Sequence, residues 1–97
     1  MTKMGVAMMK AHEICARAAE LTGVARERQH GSKRENHAKI ATMWNAFMAI
    51  RRDPAAPLSP ADVALMMVCL KVARTQHGAH NIDDYVDAAG YAGVAGD

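Results

Sequence analysis

Three aspartates lie close together near the end of the chain, in the stretch DDYVD at residues 83–87. Asp83 and Asp87 are four apart and Asp84 and Asp87 three apart, so on a helix all three carboxylates share one side. Carboxylates stacked this way can hold Mg²⁺, which takes oxygen ligands and shares its shell with waters and substrate phosphates. Asp83 and Asp84 also have a plainer explanation, because acids in a first helical turn complement the helix dipole. Asp87 lies beyond that turn, between Val86 and Ala88. For it, a functional role and a structural ion pair both stay open.

Bases occur in two places. Lys71 and Arg74 stand three apart at the far end of an apolar run. They are placed either to bind phosphate or to pair with Asp87 or Asp84 across two antiparallel helices. The second group lies in RQHGSKREN, residues 28–36, where Arg28, Lys33 and Arg34 surround a helix start at Ser32. Backbone N–H groups there lack partners within the helix and favour an anion. Asn36, one turn further on, is a candidate to read a polar ligand edge. A well-capped, solvated loop explains the same residues without a ligand. A basic helix start together with a separate acidic helix is what a nucleotide and its metal require.

Four helices are expected to position these groups. From about residue 4 to 29, apolar residues recur at Ala7, Ala11, Ile14, Cys15, Ala18, Leu21 and Ala25, with Gly23 a weak point inside the run. Ser32-Lys33-Arg34-Glu35 has the capping-box pattern and starts a second helix, 32–51, whose stripe is His37, Ile40, Ala41, Trp44, Phe47 and Met48. Three prolines in RRDPAAPLSP stop it. A third helix, 60–77, has Pro60 at its first position and Asp62 near its N-terminus, and is apolar nearly all round from residue 63 to 70. Such a helix is central, with Met66, Met67 and Leu70 in the core or an interface. Gly78 closes it, and Asn81 caps a fourth helix, 82–95. No stretch alternates with the period of a half-buried strand. The expected fold is a single all-α domain over residues 1–97, a four-helix bundle whose apolar third helix leaves surface for a homodimer.

Composition narrows the function classes. A formal charge of +2 over 97 residues gives no basic tail, so nucleic acid is not indicated. The apolar run at 63–70 is far short of the roughly 20 residues that cross a bilayer, and no secretory leader is evident, which points to the cytoplasm. Cys15 and Cys69 fall within apolar helical patterns and read as buried thiols of a reducing compartment. The five histidines form no zinc signature. There is no P-loop, nucleophile elbow or dinucleotide fingerprint.

The blocks RQHGSKRENHAKIATMW, DVALMMVCLKVAR and DDYVDAAGYAGVAG, in that order, resemble an uncharacterised domain family of tailed phages and prophages, over about residues 26 to 96. The resemblance implies a phage or prophage origin and an all-α fold. A more distant similarity is to the MazG-like all-α nucleoside triphosphate pyrophosphohydrolases. In those enzymes an E-x-x-E/D pair and an E-E-x-x-D-like segment hold Mg²⁺ over the triphosphate. DDYVD is similar to the second segment, which implies a metal role for Asp84 and Asp87. The first segment has no counterpart in residues 1–60, where Glu13, Glu20 and Glu27 are seven apart; Glu35 and Asp62 are the remaining candidates.

Two functions from different classes follow. One is a phage accessory protein that binds a nucleotide with Mg²⁺, or hydrolyses it between the α- and β-phosphates. The other is a non-enzymatic phage protein that binds and inhibits a host protein, such as a component of a defence system, in the host cytoplasm.

Overall fold

The computed structural model describes residues 8–23 and 32–97. Among these the chain forms four α-helices and no strand: α1 (Ala11–Leu21), α2 (Lys33–Ile50), α3 (Pro60–Thr75) and α4 (Ile82–Gly96). The last three begin and end within two residues of the expected limits, the usual fraying range of helix ends.

The helix starts are set by side chains. At α3 the box is complete: the Ser59 Oγ accepts from the Asp62 N–H at 3.1 Å and the Asp62 carboxylate accepts from the Ser59 N–H at 2.9 Å. Pro60, whose missing N–H has no partner to lose there, follows at once. At α2 only one arm of the expected box forms, with the Ser32 Oγ accepting from the Glu35 N–H at 3.4 Å. Asn81 caps α4 by accepting from the Asp83 N–H at 3.0 Å. Ser59→Ala should therefore cost about 1 kcal/mol of stability in urea unfolding, and Ser32→Ala distinctly less. Equal losses would show that the shorter Ser59 cap bond contributes no more than the longer Ser32 one.

α3 is the central helix, with α2 packed along it and α4 packed on it more extensively still. Small side chains let the neighbours approach: Ala64 and Ala73 are buried on α3, facing a core that also takes Ile40 of α2. Met66, Met67 and Leu70 are half-buried. The apolar girdle is not fully covered, however, since Val63 and Val72 remain 51% and 42% exposed. On α2 the inward stripe is Ile40, Trp44, Phe47 and Met48, while His37 and Ala41 at the edges of that stripe are exposed. Trp44 joins α2 to α3 by donating its indole N–H to the Met66 carbonyl at 2.7 Å. Lys39 donates to the Gln76 carbonyl at 2.7 Å, satisfying one end group of α3 from the neighbouring helix.

The first helix departs most from expectation. Residues 8–10 are not helical, and α1 closes at Leu21 rather than continuing past Gly23. Thr22 ends it, with the cap N–H bonded to the Ala18 carbonyl and the Thr22 hydroxyl donating to the same oxygen at 2.8 Å. Residues 4–7 and 24–29 of the expected helix lie outside the described residues. No residue of α1 is buried, and the helix packs on none of the others to an extent comparable with α2 or α4. Its apolar stripe is thus uncovered, with Ile14 and Leu21 about half exposed. The same fact corrects the reading of Cys15, which is an exposed free thiol. Cys69 is free and half-buried, and burial raises its pKa above 9.0. No described helix is long and apolar enough to cross a membrane.

Candidate functional site

The turn from α3 into α4 brings the polar residues together. Gly78, at φ 71°, supplies a left-handed backbone conformation that other residues adopt at a cost. The chain then reverses within the segment 76–81. His77 is half-buried, and its Nε2 lies 3.0 Å from the Ser32 carbonyl. A carbonyl oxygen only accepts, so this nitrogen carries the proton. The bond fastens the α3–α4 turn to the start of α2.

A cleft of about 250 Å³ results, lined among the described residues by Asn36, Arg74 and Asp84 together with His77, His80 and Asn81. Asp84 is only 4% exposed. Its Oδ1 accepts from the Arg74 Nε at 3.4 Å, so the buried carboxylate is compensated by a base from the facing helix. About one turn along α4, Asp87 pairs with Lys71 at 3.0 Å, and here both partners reach solvent. Two Asp–base pairs therefore run up the α3–α4 seam, the inner one buried and the outer one open. Asp83 is exposed, and its place in the first turn of α4 suits the helix dipole.

Asn36 differs from its neighbours. Its Oδ1 is buried and accepts no hydrogen bond. A buried acceptor without a donor costs free energy, and most such atoms in folded proteins find a partner. His80, at the rim, stands against the Tyr85 ring at a centroid distance of 5.6 Å.

Of the residues expected to act together, Asn36, Arg74 and Asp84 share the cleft, with the Lys71–Asp87 pair beside them. Lys33 and Arg34 are exposed at the start of α2 and do not line it. Arg28 lies outside the described residues. As arranged, the aspartates suit ion pairs better than a Mg²⁺ cage. Asp84 and Asp87 each already face a base, and no group of three or more His, Cys, Asp or Glu converges among the described residues. Sequence reasoning treated His77 and His80 only as part of a histidine set without a zinc signature, and gave Asn81 only a capping role. The signal that they line a cleft was the turn TQHGAHN itself, set between two helices that each carry charged partners.

A small helical bundle with a polar cleft where three helix ends meet does not by its fold specify a function. The family model for the domain of unknown function DUF6378 matches residues 13–97, and the chain belongs to that family. It is similar to the Gene 55 protein of Mycobacterium phage L5, 40% identical over 81 residues that make up 84% of this chain and 49% of that protein. The Gene 55 protein of Mycobacterium phage D29 is 31% identical over 80 residues, 82% of this chain and 49% of that protein. The chain thus spans about half the length of these curated relatives. An uncharacterised protein family with phage members is what the three sequence blocks implied. No solved structure matches the chain.

Proposed function

We propose that this is a phage accessory protein of MazG-like fold, acting in the host cytoplasm as a homodimer, whose cleft at Asn36, Arg74 and Asp84 binds a nucleotide. The observation that carries the reading is the cleft itself, where an amide side chain, a guanidinium and a carboxylate converge at Asn36, Arg74 and Asp84. A few polar groups converging in a concave site are the usual mark of a small-molecule site. Phosphates extending from the cleft would meet Lys33 and Arg34 at the start of α2, with Arg28 a further candidate, and Lys71 and Arg74 along the seam. Mg²⁺ at Asp84 and Asp87, with Asp83 nearby, requires these side chains to exchange Arg74 and Lys71 for the cation when the nucleotide binds.

A thermal-shift screen of nucleoside mono-, di- and triphosphates, with Mg²⁺ and with chelator, tests it. Ligand at about 100 times its Kd should stabilise the protein by roughly 2.7 kcal/mol, a shift of about 10 °C or more. Shifts that vanish in chelator would support the metal, and pyrophosphate release in the same wells would mark hydrolysis. A screen without any shift would sink the nucleotide reading.

A second reading, in which the protein binds and inhibits a host protein such as a defence component, draws on a different observation. The apolar stripe of α1 is uncovered, and on α4 Ile82, Tyr85 and Val86 are also exposed. Contiguous uncovered apolar surface marks association sites. The homodimer would draw on the same surface, and light scattering on the purified chain separates self-association from a free face.

A further inference from the structure

Two apolar helix faces are uncovered in this chain, one on α1 and one on α4, and their charged edges are of opposite sign. Resting on the homodimer of the reading above, we infer that α1 of one protomer seats on the outer face of α4 of its partner. The exchange is reciprocal. Each copy offers one α1 and one α4 face, so two copies satisfy one another and the assembly closes.

The inward side of α4 is Asp84, Ala88, Tyr91 and Ala95, spaced about one turn apart. The opposite side carries Ile82, Val86 and Val94, which are 62%, 60% and 67% exposed, with Gly90 and Gly93 between them. Uncovered apolar side chains grouped on one face mark an association surface. No charged residue occurs from 88 to 96. Glycine inside a helix weakens it relative to alanine, and these two serve no contact within the chain, since a Cβ at either would meet nothing within 4 Å. They do leave room for a second helix to lie close, because the distance between packed helices is set by the side chains at the contact.

On α1 the matching stripe is Ile14, Ala18 and Leu21, none of them buried. Arg17 is three residues from Ile14 and four from Leu21, and Lys10, at the N-cap, is four before Ile14, so one edge of the stripe is basic. On α4, Asp83 is three residues before Val86 and Asp87 follows four after Asp83, so one edge of that face is acidic. Among the described residues, Lys10, Arg17 and Asp83 take part in none of the ion pairs, which are Arg51–Asp62, Lys71–Asp87 and Arg74–Asp84. Charge complementarity of this kind selects the partner and fixes the register, while the apolar faces supply the burial.

Sedimentation equilibrium of the full chain tests the pairing. The parent should be a dimer. Arg17→Glu and Asp83→Lys should each weaken it about tenfold or more, because each sets like charges together at both seats. Mixing the two variants should restore the affinity. In the mixed dimer one seat keeps Arg17 against Asp83 of the partner subunit, and the other joins the two substituted charges, which are again opposite. A folding defect would not be rescued in this way. Ile14→Ser should give a folded monomer, since Ile14 is not buried in its own chain. A monomeric parent would overturn both the homodimer and the pairing. A dimer left intact by Ile14→Ser or by either charge reversal would overturn the pairing and leave the homodimer standing, as would charge variants that stay dissociated when mixed.

Discussion

Replacing Arg51 by Met should destabilise the fold by about 3 kcal/mol, read as a lower urea midpoint at an unchanged slope. The Arg51 side chain is 6% exposed and donates to the Ala56 carbonyl at 2.9 Å, the Pro57 carbonyl at 3.0 Å and the Asp62 carboxylate at 2.9 Å. Each bond contributes about 1 kcal/mol, and charge-assisted ones more. Met retains much of the apolar stem, so the loss reports the bonds rather than a cavity. Acid should narrow the difference. The Ser59 backbone N–H, with help from the Arg51 charge, holds the Asp62 carboxyl below its ordinary value of 3.8. A carboxyl with a depressed folded-state pKa contributes stability above its unfolded value and loses it as pH falls through the folded one. The gap between Arg51→Met and the parent should hold from neutral pH to about pH 4 and shrink below. A gap under about 1 kcal/mol, or one indifferent to acid, would mean that the segment 51–59 is held by its prolines alone.

Trp44→Ala should cost about 3 kcal/mol, at the low end for a large aromatic because the ring is only half-buried. Trp44→Phe keeps most of the packing and loses the bond to the Met66 carbonyl, so it should cost about 1 kcal/mol. The ratio matters more than either value. Were the Phe variant as damaging as the Ala one, the indole bond rather than the packed ring would be what joins α2 to α3. Thermal unfolding of the two variants side by side gives the answer.

The parts legible in the sequence are those governed by local rules. Ser59-Pro60 and Asn81 mark helix starts because capping depends on residues within one turn, and the apolar run of α3 marked it as the helix its neighbours would pack on. The pairing of Lys71 and Arg74 with Asp87 and Asp84 followed from spacings of three on two antiparallel helices. Features that depend on the path of the chain were not legible. Arg51 read as part of a helix-breaking loop, and Asp62 as a dipole complement. Their contact exists because the loop folds back on α3. The pattern of α1 showed that the helix has an apolar face, but periodicity does not say what covers a face, so Cys15 was placed inside when it is outside. The site was legible as a set of candidate residues. That Asn36 and His80 line one cleft depends on a turn whose reversal at Gly78 no spacing rule specifies.

The lack of buried residues in α1 bears on how the chain opens as well as on what it binds. Isolated helices shorter than about 12–15 residues are marginal in water, and this one has 11 residues. Its amide protons are guarded by local fraying equilibria, whereas those of α3 are guarded by the unfolding of the bundle around them. The molecule is therefore two cooperative units of unequal depth. Solvent deuterium would enter the α1 ladder long before it entered α3, and any surface that covers Ile14 and Leu21 would draw the shallow unit into the deep one.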